Sequence, residues 1–271
     1  LISTMTALEQ HIFDTYQKAY HTLQNETDLS PKNPVINQTL SQLVFILTMP
    51  VDKNMTDQII EHPDIKAIRK PMLSLLAQAE SEMEKYYAMH YLTTARSIND
   101  LHHFMYWNNY TNLVQKEWKI SHKLTKVKRM TMIGSGPLPL SALIMAKTSN
   151  AEVRSLDIDP FSHLLGQQLL TSLQNNNRIL HEQEDGARAD YSRDDFVLIA
   201  SLVPNKEDIL QQIKNTNPKA MAAIRSADGL YQLLYDPVQP NMYQNCGFQL
   251  VSRTEADSSV INTTLFLQTE K

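Results

Sequence analysis

Lys128-Arg129-Met130-Thr131-Met132-Ile133-Gly134-Ser135-Gly136-Pro137-Leu138-Pro139-Leu140 is the stretch on which the fold turns. Lys128 to Ile133 reads as a short strand and Pro137 to Thr148 as the helix after it. The glycines between them let the backbone turn tightly and lie close to a ligand. A dinucleotide fingerprint carries a third glycine where Pro139 stands here, which argues against a pyrophosphate-bearing ligand.

Downstream, strand and helix alternate. Val153 to Asp157, Ile179 to Glu182, Phe196 to Ala200 and Ala220 to Arg225 have strand character. Phe161 to Leu173, Lys206 to Ile213 and Leu230 to Tyr235 have helical spacing. This predicts a parallel, doubly wound sheet. Phe248 to Thr254 and Val260 to Gln268, separated by the polar turn Glu255 to Ser259, predict a terminal antiparallel hairpin. Such an ending is usual in S-adenosylmethionine-dependent transferases. The expected fold is α/β: a Rossmann-like class I transferase domain over residues 126–271, preceded by an all-α helical domain over residues 1–125.

The first 133 residues contain none of the six glycines. The first half reads as helical, with breaks expected at Pro31, Pro34, Pro50, Pro63 and Pro71. At 271 residues and 42% hydrophobic content the chain can bury a sizeable core. A net charge of −4 gives no basic footprint for phosphates, so nucleic acid is not an expected partner. The lone Cys246 excludes an internal disulfide framework and a multi-thiolate zinc site. His102-His103 are adjacent, which on a helix splays the rings apart, so no metal site is expected. Leu1 to Tyr20 lacks a basic region followed by an apolar run, and no stretch approaches a membrane span, so a cytoplasmic protein is expected. The oligomeric state stays open, a homodimer included.

Asp157, in Asp157-Ile158-Asp159-Pro160, ends the second strand about twenty residues beyond the glycine loop, where a carboxylate can accept from ribose hydroxyls. Asp185-Gly186 follows the third strand, where such folds often hold an adenine amino group. Ala200-Ser201 ends the fourth and would flank a methionine moiety. In order, at successive strand ends, these positions point to a nucleoside ligand, S-adenosylmethionine.

These motifs resemble the nicotianamine synthase family over roughly residues 70 to 268. Gly134-Ser135-Gly136-Pro137-Leu138-Pro139-Leu140 is similar to its glycine loop, and Asp157-Ile158-Asp159 to its ribose-binding segment. Ile224-Arg225-Ser226-Ala227-Asp228-Gly229, leading into Leu234-Tyr235, is similar to its Arg-Ser-Ala-x-Gly stretch. Val260-Ile261-Asn262 and Asn109-Tyr110 with Leu113 and Glu117 also match. The first sixty or so residues match nothing in the family.

The resemblance implies transfer of the 3-amino-3-carboxypropyl (aminobutyrate) arm of S-adenosylmethionine to an amine, with methylthioadenosine leaving. By resemblance to bacterial members of this size, a single transfer is favoured, onto histidine or otherwise glutamate, in opine-type metallophore synthesis with an opine dehydrogenase as pathway partner. A methyltransferase of the same fold, or a silent cofactor-binding module, is the alternative. Methyltransferases often fix the amino acid end with an acidic residue in the first strand; Met132 stands there.

On a helical wheel at about 100° per residue, Met72, Leu75, Ala79, Met83, Tyr86 and His90 share a face. Glu82 falls within that stripe, with Glu80 at its edge and Glu84 nearly opposite. A carboxylate facing apolar surroundings suits a general base, and the family resemblance also points to Glu82. Trp107, Tyr110, Val114 and Glu117 form a second such face, where Tyr110, by resemblance, assists proton removal. Arg225 could fork onto a substrate carboxylate, and Tyr106 and Tyr235 are further pocket candidates. The helical half is expected to cap the mouth of the Rossmann half.

Overall fold

The computed structural model describes residues 5–173 and 178–270, so the first four residues of the stretch read for a leader lie outside it. It has two compact units. One holds the residues up to Tyr86 with Asp228–Asp236, and the other Tyr87–Ala227 with Pro237 onward.

The first unit is helical. α1 (Ala7–Asn25) starts on a capping box in which Thr6 Oγ1 accepts from the Glu9 N–H and the Glu9 carboxylate accepts from the Thr6 N–H. Ile12, Tyr16, Ala19 and Leu23, three or four residues apart, form its buried face. α2 (Pro34–Leu47) has Asn33 as N-cap and Pro34 in its first turn, and α3 (Lys53–Ile60) is capped by Asp52. α4 spans Pro63–Thr94 and contains Pro71.

The break expected at Pro71 is therefore absent, and the helix runs through it. Its ring is exposed, while Ile65 and Met72 on either side are fully buried. Packing of those neighbours holds the helix through a position that lacks an N–H for the Ala67 carbonyl. Replacing Pro71 with alanine restores that donor. Part of the gain is offset by greater freedom of the unfolded chain, so stability should rise by about 1–2 kcal/mol, read as a higher urea midpoint at unchanged m-value.

Where a helix was expected over Leu230 to Tyr235, the chain forms a tighter 3-10 turn, Gly229–Leu233, closed by i to i+3 bonds such as Tyr231 N to Asp228 O at 3.1 Å. This segment joins the helical unit. The Tyr16 hydroxyl donates to Leu233 O at 3.2 Å, and Arg69 donates to Gln232 O at 3.1 Å and to Asp236 Oδ1 at 3.2 Å.

The second unit begins within α4 and continues through a 3-10 turn, Ile98–His103, to α5 (Trp107–Leu124). Then come β1 (Arg129–Ile133), α6 (Leu140–Ser149), β2 (Glu152–Asp157), α7 (Pro160–Ser172), β3 (Ile179–Gln183), β4 (Phe196–Ile199), α8 (Lys206–Thr216), β5 (Met221–Ser226), α9 (Pro240–Asn245), β6 (Phe248–Arg253) and β7 (Thr263–Thr269). The sheet order is β3-β2-β1-β4-β5-β7-β6. The first five strands run parallel, and β7 pairs antiparallel with both β5 and β6. The doubly wound sheet and its antiparallel ending are thus as read from the sequence. The order reverses between β1 and β4, so the crevice where such sheets bind ligands lies above the C-terminal end of β1.

One sheet face packs Ile133, Val197, Ile199 and Ile224 on Ile209, Leu210 and Ile213 of α8. On α6 every residue from Leu140 to Ala146 is buried, as in a helix covered all round. α5 packs along it. This is why the sheet-bearing unit takes in α5 and starts at Tyr87, whereas the sequence placed the division at 125/126. Burying α6 requires a helical cover from outside the doubly wound motif.

Candidate active site

Gly134 and Gly136 follow β1 at the switch point with φ of 77° and 72°, a left-handed conformation that only glycine adopts without strain. A Cβ at Gly134 would stand 2.4 Å from Val203 Cγ2, so this turn also needs the missing side chain. Pro137 and Leu138 extend the turn, and α6 starts at Leu140, three residues later than the sequence suggested. Proline at 139 bears no N–H, and its non-helical backbone takes the N-cap position.

Asp157, at the end of β2, faces this loop. Its Oδ2 accepts from the Gly136 N–H at 2.8 Å and its Oδ1 from the Asp159 N–H at 2.9 Å. Burial pushes its pKa up, and the two backbone N–H bonds pull it part of the way back. A carboxylate has about four acceptor positions, so two remain. Ile158 projects into solvent beside it at 62% exposure. Asp159 caps α7 by accepting from the Ser162 N–H.

Asp185 Oδ1 accepts from the Ala187 N–H at 2.9 Å and from Asn205 Nδ2 at 3.0 Å, which ties the turn after β3 to the start of α8. The carbonyl of Gly186 accepts from the Tyr191 hydroxyl. Beyond β4, Ala200 and Ser201 are half-buried. Ser201 Oγ accepts from Asn262 Nδ2 at 3.0 Å, and that amide also donates to Ser226 O at 3.4 Å.

α5 is fixed to the sheet along its buried stripe. Arg225, at the end of β5, donates from Nε to Glu117 Oε2 at 3.0 Å and from Nη2 to Oε1 at 2.9 Å. Thr264 Oγ1 adds a bond to Glu117 Oε2 at 2.6 Å. Both ionic side chains are buried. The carboxylate that Arg225 grips within the chain is therefore that of Glu117. Asn109 Nδ2 donates to Ser259 O at 2.7 Å, and Lys116 Nζ reaches Glu255 O and Asp257 Oδ2, both at 2.8 Å. The lysine is the main reason that the Asp257 pKa lies well below the usual carboxylate range. The Asn109-Tyr110 and Val260-Ile261-Asn262 segments thus meet in space, linked through Ser259.

Tyr110 is half-buried two turns before Glu117, on the side of buried Val114. Tyr106 is the N-cap residue of α5, its ring edge-on to Phe104 at 5.7 Å. In the helical unit, Glu82 sits in a run of six half-buried residues, Glu80 to Lys85. The Tyr235 hydroxyl donates to Glu80 Oε1 at 2.7 Å. Two members of the expected α4 stripe depart from it: Tyr86 and His90 are exposed. His102 and His103 are also exposed, and among the described residues no group of three or more His, Cys, Asp or Glu could hold a metal.

The family model described as nicotianamine synthase protein matches residues 5–271. The chain belongs to the nicotianamine synthase family. That match reaches the first sixty residues, which the motifs left unassigned. Curated relatives agree. Nicotianamine synthase 2 of Arabidopsis thaliana is 28% identical over 257 residues, 90% of this chain and 79% of the relative. Nicotianamine synthase of Solanum lycopersicum is 29% identical, over 91% and 80% of the two chains. The fold is also that of MtNAS: a glutamate-to-glutamine variant in complex with S-adenosylmethionine superposes with a TM-score of 0.84 at 17% identity, over 95% of this chain and 97% of that one. MtNAS in complex with MTA and tNA gives 0.84 at 16%, over 99% and 100%. As a nicotianamine synthase family member the chain is an S-adenosylmethionine-dependent aminocarboxypropyltransferase. No helix among the described residues is long and apolar enough to cross a membrane.

Proposed function

We propose that this chain makes one aminocarboxypropyl transfer from S-adenosylmethionine to the amine of an amino acid, with histidine favoured and glutamate next, for an opine-type metallophore. An opine dehydrogenase is the natural consumer of such a product, and the cytoplasm is the compartment we assign. The observation that carries the site is the Asp157 carboxylate, held by two backbone N–H groups against a left-handed glycine turn at the switch point. Its two remaining acceptor positions suit vicinal ribose hydroxyls, whose bonds would favour the ionised form that burial disfavours. Asp185 and Gly186 would flank the adenine, and Ala200 and Ser201 the methionine part.

In the reaction the amine nitrogen attacks the methylene carbon next to the sulfonium. The C–N bond forms as the C–S bond breaks, methylthioadenosine leaves with the electron pair, and one proton must depart from the nitrogen. The sulfonium is already activated, so the protein supplies alignment and a proton acceptor. We assign Glu82 as that acceptor, with Tyr110 orienting the amine and Tyr106 in the acceptor pocket. A second reading is favoured by one contact: Glu80 accepts from Tyr235, and a glutamate oriented by a tyrosine is also equipped to take a proton.

The test is incubation with S-adenosylmethionine and an amino acid panel, followed by mass spectrometry. An adduct heavier by one aminobutyrate unit should appear with equimolar methylthioadenosine, most strongly with histidine. S-adenosylhomocysteine as the nucleoside product would overturn the reading, and a second or third unit on the same product would overturn the single transfer.

A further inference from the structure

Two histidines lie behind the glycine loop. His181 on β3 is buried and His163 on α7 is half-buried. Their Nδ1 atoms are 2.8 Å apart, and His181 Nε2 approaches Ser135 Oγ at 3.4 Å. Gly166 provides the room: a Cβ there would stand 2.7 Å from His181 Nε2 and 3.2 Å from the Gly136 carbonyl. Burial, with the charge of His163 adding to it, pushes the His181 pKa down to about 4, so this ring stays neutral near neutral pH and carries one N–H.

We propose that His163 and His181 form a relay that sets the direction of the Ser135 hydroxyl, so that protonating His163 makes Ser135 a donor to the ligand of the glycine loop. This rests on the reading of that loop as the S-adenosylmethionine site. Two facing Nδ1 atoms at this distance need one proton between them. If His181 donates it, His181 Nε2 is a bare acceptor and takes the Ser135 O–H. If His163 donates it, His181 carries its N–H on Nε2 and donates to Ser135 Oγ, and the hydroxyl proton is released toward the ligand. Neutral His163 permits both arrangements. Protonated at both nitrogens, it permits only the second, and the one proton gained comes from solvent.

α7 packs on β2 and β3. Asp157 from β2 is near enough to His163 for the two to interact electrostatically, and Asp159 caps the start of the helix that carries His163. β3 presents His181, and by strand alternation Glu182 points to the opposite face. Serine, both histidines and a helical glycine are all used by one device.

In a pH series from about 8 to 6, nitrogen-15 NMR of the ligand-free protein should show His181 passing from the Nδ1–H to the Nε2–H form as His163 gains its second proton. Over the same span the dissociation constant of S-adenosylmethionine, measured by calorimetry, should tighten about three- to tenfold, the worth of one hydrogen bond. His163→Asn keeps a side chain that can bond at the Nδ1 position but does not titrate, so both changes should vanish in it. A single His181 tautomer across the range, or an undiminished pH slope in His163→Asn, would overturn the relay. Absence of binding at every pH would count against the ligand reading of the loop, and the tautomer record would still decide the relay.

Discussion

Replacing Arg225 by methionine is expected to lower stability by about 3–5 kcal/mol, because a fully buried carboxylate would lose its counter-ion. Glu117 has no exposure, and apart from Thr264 both its oxygens are served by the Arg225 fork. The cost should come from the orphaned charge rather than from the missing side chain. Exchanging both partners, Arg225→Met with Glu117→Leu, should therefore recover most of the loss. Urea unfolding of the two single variants and the double one closes the cycle. A single-variant loss below about 1 kcal/mol would mean that the pair is open to water. The double variant also decides the older expectation for Arg225. If it folds and its KM for the acceptor amino acid rises tenfold or more, the guanidinium takes part in acceptor binding after all. An unchanged KM leaves it as the clamp that holds α5 on the sheet.

The sheet was legible from its first and central strands, since β1 runs into Gly134, β2 ends on Asp157 and β4 is an apolar run. Phe196 to Ile199 is buried at every residue, as a central parallel strand requires. The start of β7 was less so. Val260 to Asn262 has strand composition, yet Asp257 Oδ1 accepts from the Val260 N–H and the Asp257 N–H donates to Val260 O. The chain closes a loop on itself there, and pairing with β5 begins only at Thr263. α9 escaped notice because it is a short polar segment with Tyr243 its one buried residue; Pro240 in its first turn was the available signal.

Of the site, the strand-end positions could be read because the topology dictates them, whereas side-chain pairings distant in sequence could not. Glu117 carried a usable hint. An acid on the stripe of Val114 must meet a cation when the helix is buried, and Arg225 was already suspected of gripping a carboxylate. The α4 wheel failed for another reason. Ala79 is buried, and the next buried residue is Ala88, followed by Tyr91. Nine residues at about 100° each bring the covered face round by about 180°, so one wheel cannot describe both ends of the helix. The change falls where one compact unit gives way to the other.

That turn of the covered face puts the choice of proton acceptor between two neighbours, and substitution of each separates them. Glu82→Gln should lower kcat about a hundredfold or more, the usual range for loss of a general base, while the affinity for S-adenosylmethionine stays within about twofold, because no atom of the proposed nucleoside site is altered. Glu80→Gln keeps an amide oxygen that can still accept from Tyr235, so it removes the charge without breaking that contact. On the primary assignment it should cost less than about tenfold. The pH profile then distinguishes chemistry from misplacement. An acceptor amine loses its proton unaided as the pH rises, so a variant lacking only the base should regain rate against the parent toward alkaline pH, and a distorted one should keep a constant deficit. Unchanged turnover in Glu82→Gln with an alkaline-rescued loss in Glu80→Gln moves the proton to Glu80 and makes Tyr235 its positioning partner. Full activity in both variants would remove Glu80 and Glu82 as the source of the base.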